Sequence, residues 1–127
     1  MVPFLFRLAG ELNKSGVPLM AGTDATNPIQ IPGLSMHDEL EVLVNAGLSP
    51  YQALVAATSA PARFLNRNAG TIEEGKIADL VLLDANPLSK IANTRKVRGV
   101  LVHGSTWLDQ PSLQQLNTGF IEHAKSE

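Results

Sequence analysis

The apolar positions of residues 3–24 predict a helix followed by a buried strand. Helical spacing extends over residues 3–15, and Gly16 is of the residue type that most often ends a helix. Residues 17–22 then form an apolar run without polar alternation, which is typical of a strand buried on both faces of a parallel sheet. The run stops shortly before the carboxylate of Asp24. Helix, glycine and buried strand together make half of an α/β repeat.

The next forty residues predict helices joined by loops. Two prolines and a glycine make residues 27–33 a loop. A helix is expected to begin with Ser35 as its N-cap and to end at Gly47. Ser49 is expected to cap the following helix, because a proline and then a glutamine occupy its first turn. A short helical turn is expected over residues 61–65.

From about residue 68 the pattern changes to strands. Residues 78–84 and 96–104 are rich in β-branched and leucine side chains, and each segment predicts a strand. Gly104 is expected to lie in a hairpin turn that leads into residues 106–108. Residues 111–125 predict a weakly amphipathic terminal helix.

These elements divide the chain into an α/β part over residues 1–66, a β part over 67–109 and a terminal helix over 110–127. The α/β part offers one buried strand, whereas such a strand needs neighbours on both edges. Unpaired strand edges readily accept another chain, so self-association through them is expected.

Composition narrows the function. The chain has 127 residues, of which 44% are hydrophobic and 17% charged, as expected for a folded domain. The formal net charge of −2 predicts that the chain binds neither nucleic acid nor an anionic membrane. No cysteine is present, which removes disulfides, thiolate metal sites and cysteine nucleophiles. No spanning segment or signal peptide is recognisable, since Arg7 interrupts the first apolar run, so a cytoplasmic location is expected.

Asp24 is the first candidate for chemistry. A carboxylate at the C-terminal end of a parallel strand points into the mouth of an α/β barrel. There it could bind a metal ion or take a proton from a metal-bound water. The alternative is a turn in which Asp24 hydrogen-bonds the local backbone, and spacing alone favours this alternative.

His37 is the second candidate, at the start of the predicted helix and facing the same end of the strand. It could contact a substrate there. The alternative is an exposed first-turn residue beside two acidic residues that the helix dipole favours. No two of the three histidines have a chelating spacing.

The segment 70–77 has the form Gly-x4-Gly-Lys of a phosphate-binding loop, but Ile77 replaces the required Ser or Thr. A helix precedes it and a strand follows it, which is the reverse of a phosphate loop. We interpret the segment as a tight turn in the β part.

Several motifs occur in an order that resembles the C-terminal part of amidohydrolase-superfamily enzymes, in their imidazolonepropionase-like and prolidase-like branch. The motifs are Gly-Thr-Asp-Ala at 22–25, His-Asp-Glu-Leu at 37–40, Ala-Gly-Leu-Ser-Pro-Tyr-Gln-Ala-Leu at 46–54, Ala-Ala-Thr-Ser-Ala-Pro-Ala at 56–62 and the stretch from Gly70 to Pro87. Each motif alone is weak, and their order carries the resemblance.

The resemblance implies a fold: the C-terminal fragment of a TIM-type (β/α)8 barrel plus the C-terminal strands of a small β-sandwich domain. Residues 3–15 are similar to the seventh barrel helix and 17–23 to the eighth strand. Residues 35–66 are similar to the closing helices, and 71–108 to the C-terminal share of the sandwich.

The resemblance also implies a chemistry. Asp24 matches the last-strand aspartate that binds the catalytic metal ion and shuttles the proton of the attacking water. His37 matches a recurring histidine and is carried as a candidate at the substrate mouth. The resemblance implies hydrolysis of an amide or other non-ester C–N bond in a small-molecule or dipeptide-like substrate. It also implies a divalent metal ion, most often zinc.

The remaining family ligands are missing from this chain: the His-x-His of the first strand, the bridging Lys or Glu of the fourth, and the histidines of the fifth and sixth. We therefore expect a C-terminal fragment that is inactive as an isolated chain. The alternative is a non-catalytic module that pairs with another chain through exposed strand edges.

Overall fold

The chain folds into a helical part followed by an antiparallel sheet. This computed structural model describes the backbone of residues 2–24 and 33–124, so the predicted loop at 27–33 lies outside the described residues except for its last position. The helices are α1 (Val2–Lys14), α2 (Leu34–Asn45), α3 (Pro50–Ala57), α4 (Ser59–Phe64) and α5 (Gln110–Ala124). The strands are β1 (Leu80–Leu83), β2 (Val97–Val102) and β3 (Thr106–Asp109), and a 3₁₀ turn covers Ile91–Arg95. None of the described helices is both long and apolar enough to cross a membrane.

The end of α1 confirms the role predicted for Gly16. Its φ of 75° is a left-handed conformation that glycine adopts without strain. The Gly16 amide donates to the Asn13 carbonyl and the Val17 amide donates to the Leu12 carbonyl, each at 3.0 Å. These two bonds satisfy carbonyls that the helix end would otherwise leave free.

Residues 17–24 are where the structure departs from the sequence prediction. These residues form no strand in the described part of the chain, so the prediction of a strand at 17–22 is wrong. A strand requires a neighbour to complete its hydrogen-bond ladder, and the described strands all belong to the separate sheet. One backbone bond, from the Ala21 amide to the Ala56 carbonyl at 2.9 Å, joins the segment to α3. Val17 and Met20 remain exposed.

The two helix starts gave opposite outcomes. Ser35 was expected to cap α2, but the helix begins at Leu34, with Gly33 as N-cap and no capping bond from a side chain. Gly33 has a φ of 82°, so the chain enters the helix through a conformation that favours glycine. The cap of α3 is confirmed: Ser49 and Gln52 exchange the two bonds of a capping box at 3.2 and 2.8 Å.

The described core is small and lies between α2, α3 and the 3₁₀ turn. Leu19 and Ala21 of the extended segment pack against it. Ile91 belongs to this core although it lies in the β part of the sequence, so helical and β parts share buried surface. The buried members are Leu40, Leu43, Leu48, Ala53, Ala56 and Ile91.

The sheet confirms the predicted strands and hairpin. Its order is β1-β2-β3 with both pairs antiparallel. The turn from β2 to β3 has positive φ at His103 and Gly104, 51° and 67°. The Asp79 carboxylate accepts from the His103 amide at 2.7 Å, and Arg98 pairs with Asp84 at 2.5 Å. The Asp79 carboxylate thus holds the turn between β2 and β3, and Asp84, directly after β1, ties the end of that strand to β2.

Replacing Gly10 with alanine should destabilise the chain by about 1–2 kcal/mol, although alanine is the better helix former. A Cβ at Gly10 would collide with the carbonyl oxygen of Ala46, where α1 crosses the end of α2. Urea unfolding measures the change. As a control, Arg7→Ala on the exposed side of α1 should change the free energy of unfolding by no more than about 0.5 kcal/mol. A Gly10→Ala chain as stable as Arg7→Ala would show that the two helices do not cross this closely.

Candidate functional site

Asp24 lies at the end of the extended segment, with its side chain exposed. Its φ of 48° is left-handed, a conformation that aspartate adopts more readily than most residues. Its carboxylate makes no hydrogen bond or ion pair with the residues that the structure describes. The alternative of a local turn depends on the residues directly after Asp24, and residues 25–32 lie outside the described residues, so that alternative stays untested.

The residues that the structure describes do not by themselves fit a divalent metal ion. A protein zinc site normally has three or four protein ligands. Within the part of the chain whose side chains are described, no group of three histidine, cysteine, aspartate or glutamate residues is close enough to hold a metal ion. No hydrogen bond or ion pair joins Asp24 to His37 in that part of the chain. Asp24 therefore stands as one donor that lacks partners here.

His37 is half-buried near the start of α2, against the 3₁₀ turn. Its Nδ1 lies 3.1 Å from Oγ1 of Thr94. Thr94 is 6% exposed, and its hydroxyl donates to the carbonyl oxygen of Ile91 at 2.9 Å. His37 is therefore held by a tertiary contact. Its place at a substrate mouth stays a prediction.

Arg95 joins the same two elements through charge. Its guanidinium binds Asp38 at 2.5 Å and Glu41 at 2.9 Å. Asp38 and Glu41 are three positions apart on α2, so they share one helix face. We call the side chains of His37, Asp38, Glu41, Thr94 and Arg95 the α2–3₁₀ contact.

Sequence reasoning missed Thr94 and Arg95. Both residues lie more than fifty positions from their partners, and no local pattern marks them. The 3₁₀ turn itself was not predicted. The one local signal was the pair of acidic residues, Asp38 and Glu41, on one face of α2. The pair predicts a basic partner but does not identify Arg95.

Burial lowers the pKa of His37, and the positive charge of Arg95 lowers it further, while Asp38 and Glu41 act in the opposite direction. A lowered pKa means that the unfolded chain takes up this proton more readily than the folded chain. Protonation of His37 therefore favours unfolding. The stability that its neutral form contributes is complete above the ordinary histidine pKa of about 6.5 and is lost as the pH falls from there through the lowered pKa.

The lowered pKa of His37 predicts how the free energy of unfolding depends on pH. Urea unfolding of the natural chain, His37→Gln and His103→Gln, at a pH above and a pH below that window, measures this dependence. Stability of the natural chain and of His103→Gln should fall on acidification by the same amount. The fall should be smaller in His37→Gln, because the group that titrates is gone. His103 is the control because its side chain is exposed. Equal acid sensitivity of all three chains would show that His37 is not held in its neutral form.

Comparison with known proteins adds the family. Residues 3–106 match the family described as "Amidohydrolase family". An imidazolonepropionase of Pyrobaculum arsenaticum is 39% identical over 75 residues, which are 58% of this chain and 19% of that protein.

Solved structures show the same likeness. A Xaa-Pro dipeptidase with bound methionine in its active site is 28% identical, with a TM-score of 0.73 over 84% of this chain and 26% of that chain. A molinate hydrolase is 31% identical, with a TM-score of 0.65 over 76% of this chain and 24% of that chain. The chain thus spans about a fifth to a quarter of the length of these proteins.

Proposed function

Because this chain belongs to the amidohydrolase family, we propose that it is the C-terminal part of a hydrolase that cleaves an amide or other non-ester C–N bond. The observation that carries the proposal is Asp24, an exposed carboxylate without partners in the described part of the chain, at the end of an apolar segment. An imidazolonepropionase and a Xaa-Pro dipeptidase among the similar proteins support the C–N bond as the target.

In this proposal Asp24 is both a metal ligand and the proton carrier. The other ligands of the divalent ion, which we propose to be zinc, come from parts of the protein outside this chain. When bound, such an ion supplies a water of lowered pKa. The Asp24 carboxylate takes a proton at one oxygen as the water attacks, and then donates it to the leaving nitrogen.

We propose that residues 1–66 belong to a TIM-type barrel, 67–109 to a small β-sandwich and 110–127 to a terminal helix. Exposed apolar surface on α1 supports the barrel assignment, since Phe4 is 65% and Leu5 54% exposed. Monomeric proteins rarely leave such surface uncovered. The extended residues 17–24 support it too, because their backbone has no strand neighbour among the residues that the structure describes. The same surface would serve self-association of the isolated chain.

For the substrate we propose a small molecule or a dipeptide-like amide, with His37 at the mouth of the site. The support is the similar Xaa-Pro dipeptidase, whose name identifies dipeptides as its substrates. The position of His37 near the start of α2, a few residues after the segment that follows Asp24, is compatible with this role.

The test uses the complete protein encoded in frame around these residues. It should hydrolyse Xaa-Pro dipeptides or cyclic amides, lose activity after dialysis against a chelator and regain it with zinc. The 127-residue chain alone should be inactive. Loss and recovery of activity would support the proposal, and chelator-resistant hydrolysis would refute the metal-dependent mechanism.

The alternative is a non-catalytic module that pairs with another chain through the same uncovered surface. The coding sequence upstream of Met1 distinguishes the hydrolase from the non-catalytic module. A His-x-His and two later histidines in frame before Met1 would support the hydrolase. A start site at Met1 with no such sequence nearby, together with a stable complex with a second chain, would support the module.

A further inference from the structure

We infer that Thr94 is a positioning residue that holds the imidazole of His37 as its Nδ1–H tautomer, so that Nε2 carries the lone pair. The inference concerns a residue outside the proposed catalytic group and rests on the geometry of the α2–3₁₀ contact. Its consequence for chemistry rests on the proposed function, in which His37 lies at the substrate mouth.

The Thr94 hydroxyl has a single hydrogen but two polar neighbours. A threonine Oγ1 has one O–H to donate and lone pairs to accept with. Oγ1 lies 2.9 Å from the Ile91 carbonyl oxygen and 3.1 Å from Nδ1 of His37. A carbonyl oxygen can only accept, whereas an imidazole nitrogen can donate or accept.

Only one assignment satisfies both contacts. If the hydroxyl donates to Ile91, then Nδ1 of His37 must donate to Oγ1, and both distances are hydrogen bonds. If the hydroxyl donated to Nδ1 instead, two oxygen acceptors would face each other at 2.9 Å without a proton between them. Thr94 is 6% exposed, so water cannot readily relieve that repulsion. The first assignment is therefore favoured.

The surroundings of His37 make the tautomer matter. Burial and the guanidinium of Arg95 lower its pKa, so the neutral ring predominates at neutral pH and carries one proton. The charged groups that bear on it are Asp38 and Glu41 on its own helix and Arg95 on the 3₁₀ turn. With that one proton on Nδ1, Nε2 is the ring nitrogen that can accept a hydrogen bond or a proton.

The role of Thr94 is then to fix which ring atom is available. The hydrogen bond that one ring nitrogen of a histidine makes commonly sets the tautomer and orients the other ring nitrogen. In the proposed hydrolase, a donor group of the substrate would meet a lone pair on Nε2 and not a second N–H.

The test is a long-range ¹H–¹⁵N correlation spectrum of the 127-residue chain labelled at histidine, recorded well above the ordinary histidine pKa. The chain has three histidines, and His37→Gln identifies the signal of His37. The expected spectrum is that of the Nδ1–H tautomer. Thr94→Val keeps the shape of the side chain but removes the acceptor, so the signal should move toward the Nε2–H form. Thr94→Ser keeps the hydroxyl and should restore the first spectrum.

Thr106→Val, at an exposed position of β3, is the matched control and should leave the His37 signal unchanged. A natural chain whose His37 is mainly Nε2–H would overturn the inference by itself, even if Thr94→Val failed to fold. A folded Thr94→Val chain with an unchanged signal would also overturn it. A complete protein without hydrolase activity but with the Nδ1–H tautomer would refute the proposed function and leave this inference standing.

Discussion

Asp24→Asn should reduce kcat of the proposed hydrolase, measured on the complete protein, by about 10²–10⁴-fold, because the carboxamide has the size of the carboxylate but cannot carry the proton. The substitution should not disturb folding, since the side chain is exposed and makes no hydrogen bond within the described part of the chain. The measurements are steady-state hydrolysis and urea unfolding of the same preparations. Activity should fall while the free energy of unfolding stays within about 0.5 kcal/mol.

Glu74→Gln is the matched control for this loss. Glu74 is also an exposed carboxylate, and it lies in the tight turn at 70–77 with no hydrogen bond among the described residues. The Glu74→Gln substitution should leave both the activity and the free energy of unfolding unchanged. Full activity of Asp24→Asn would contradict the role of Asp24 as proton carrier. An equal loss in Glu74→Gln would point to a general effect of removing charge.

Gly70→Ala should lower the free energy of unfolding more than any other alanine substitution in the tight turn. Gly75→Ala is the matched control. Both glycines are left-handed, with φ of 84° and 81°. Alanine pays about 1–2 kcal/mol for that conformation at either position. At Gly75 a Cβ would meet no atom within 4 Å, whereas at Gly70 it would lie 2.6 Å from the carbonyl oxygen of Thr58 and 2.8 Å from Cβ of Ala62.

Overpacking against this backbone should cost Gly70→Ala a further 1–3 kcal/mol or so relative to Gly75→Ala. The difference between the two variants isolates packing from backbone strain, since the strain is common to both. Urea midpoints at constant slope measure it. Equal destabilisation would show that residue 70 does not pack against the start of α4 as closely as the structure has it.

Local signals explain what the sequence predicted correctly. The capping box at Ser49, the glycine end of α1 and the hairpin at Gly104 each depend on residues a few positions apart, and all three are confirmed. The tight turn at 70–77 is confirmed for the same reason. The predicted start of α2 was wrong because Gly33, two residues before Ser35, makes the turn into the helix.

Non-local partners explain the rest. The apolar run at 17–22 has the composition of a buried strand, but a strand forms only beside another strand. Among the described residues, the run has a single backbone bond to α3. The order of motifs predicted Asp24 as a metal ligand, and this role stays a prediction. The other ligands that the resemblance implies are not in the sequence. The contact of His37 with Thr94 spans 57 positions, so no periodicity or spacing rule could have revealed it.

We propose that this chain supplies Asp24 as one ligand of a metal site that other parts of the protein complete, and anomalous diffraction from zinc-loaded crystals of the complete protein tests this proposal. We expect an ion about 2.0–2.2 Å from a carboxylate oxygen of Asp24, with histidine ligands from outside these 127 residues. An ion bound elsewhere, with the Asp24 carboxylate facing solvent, would contradict it.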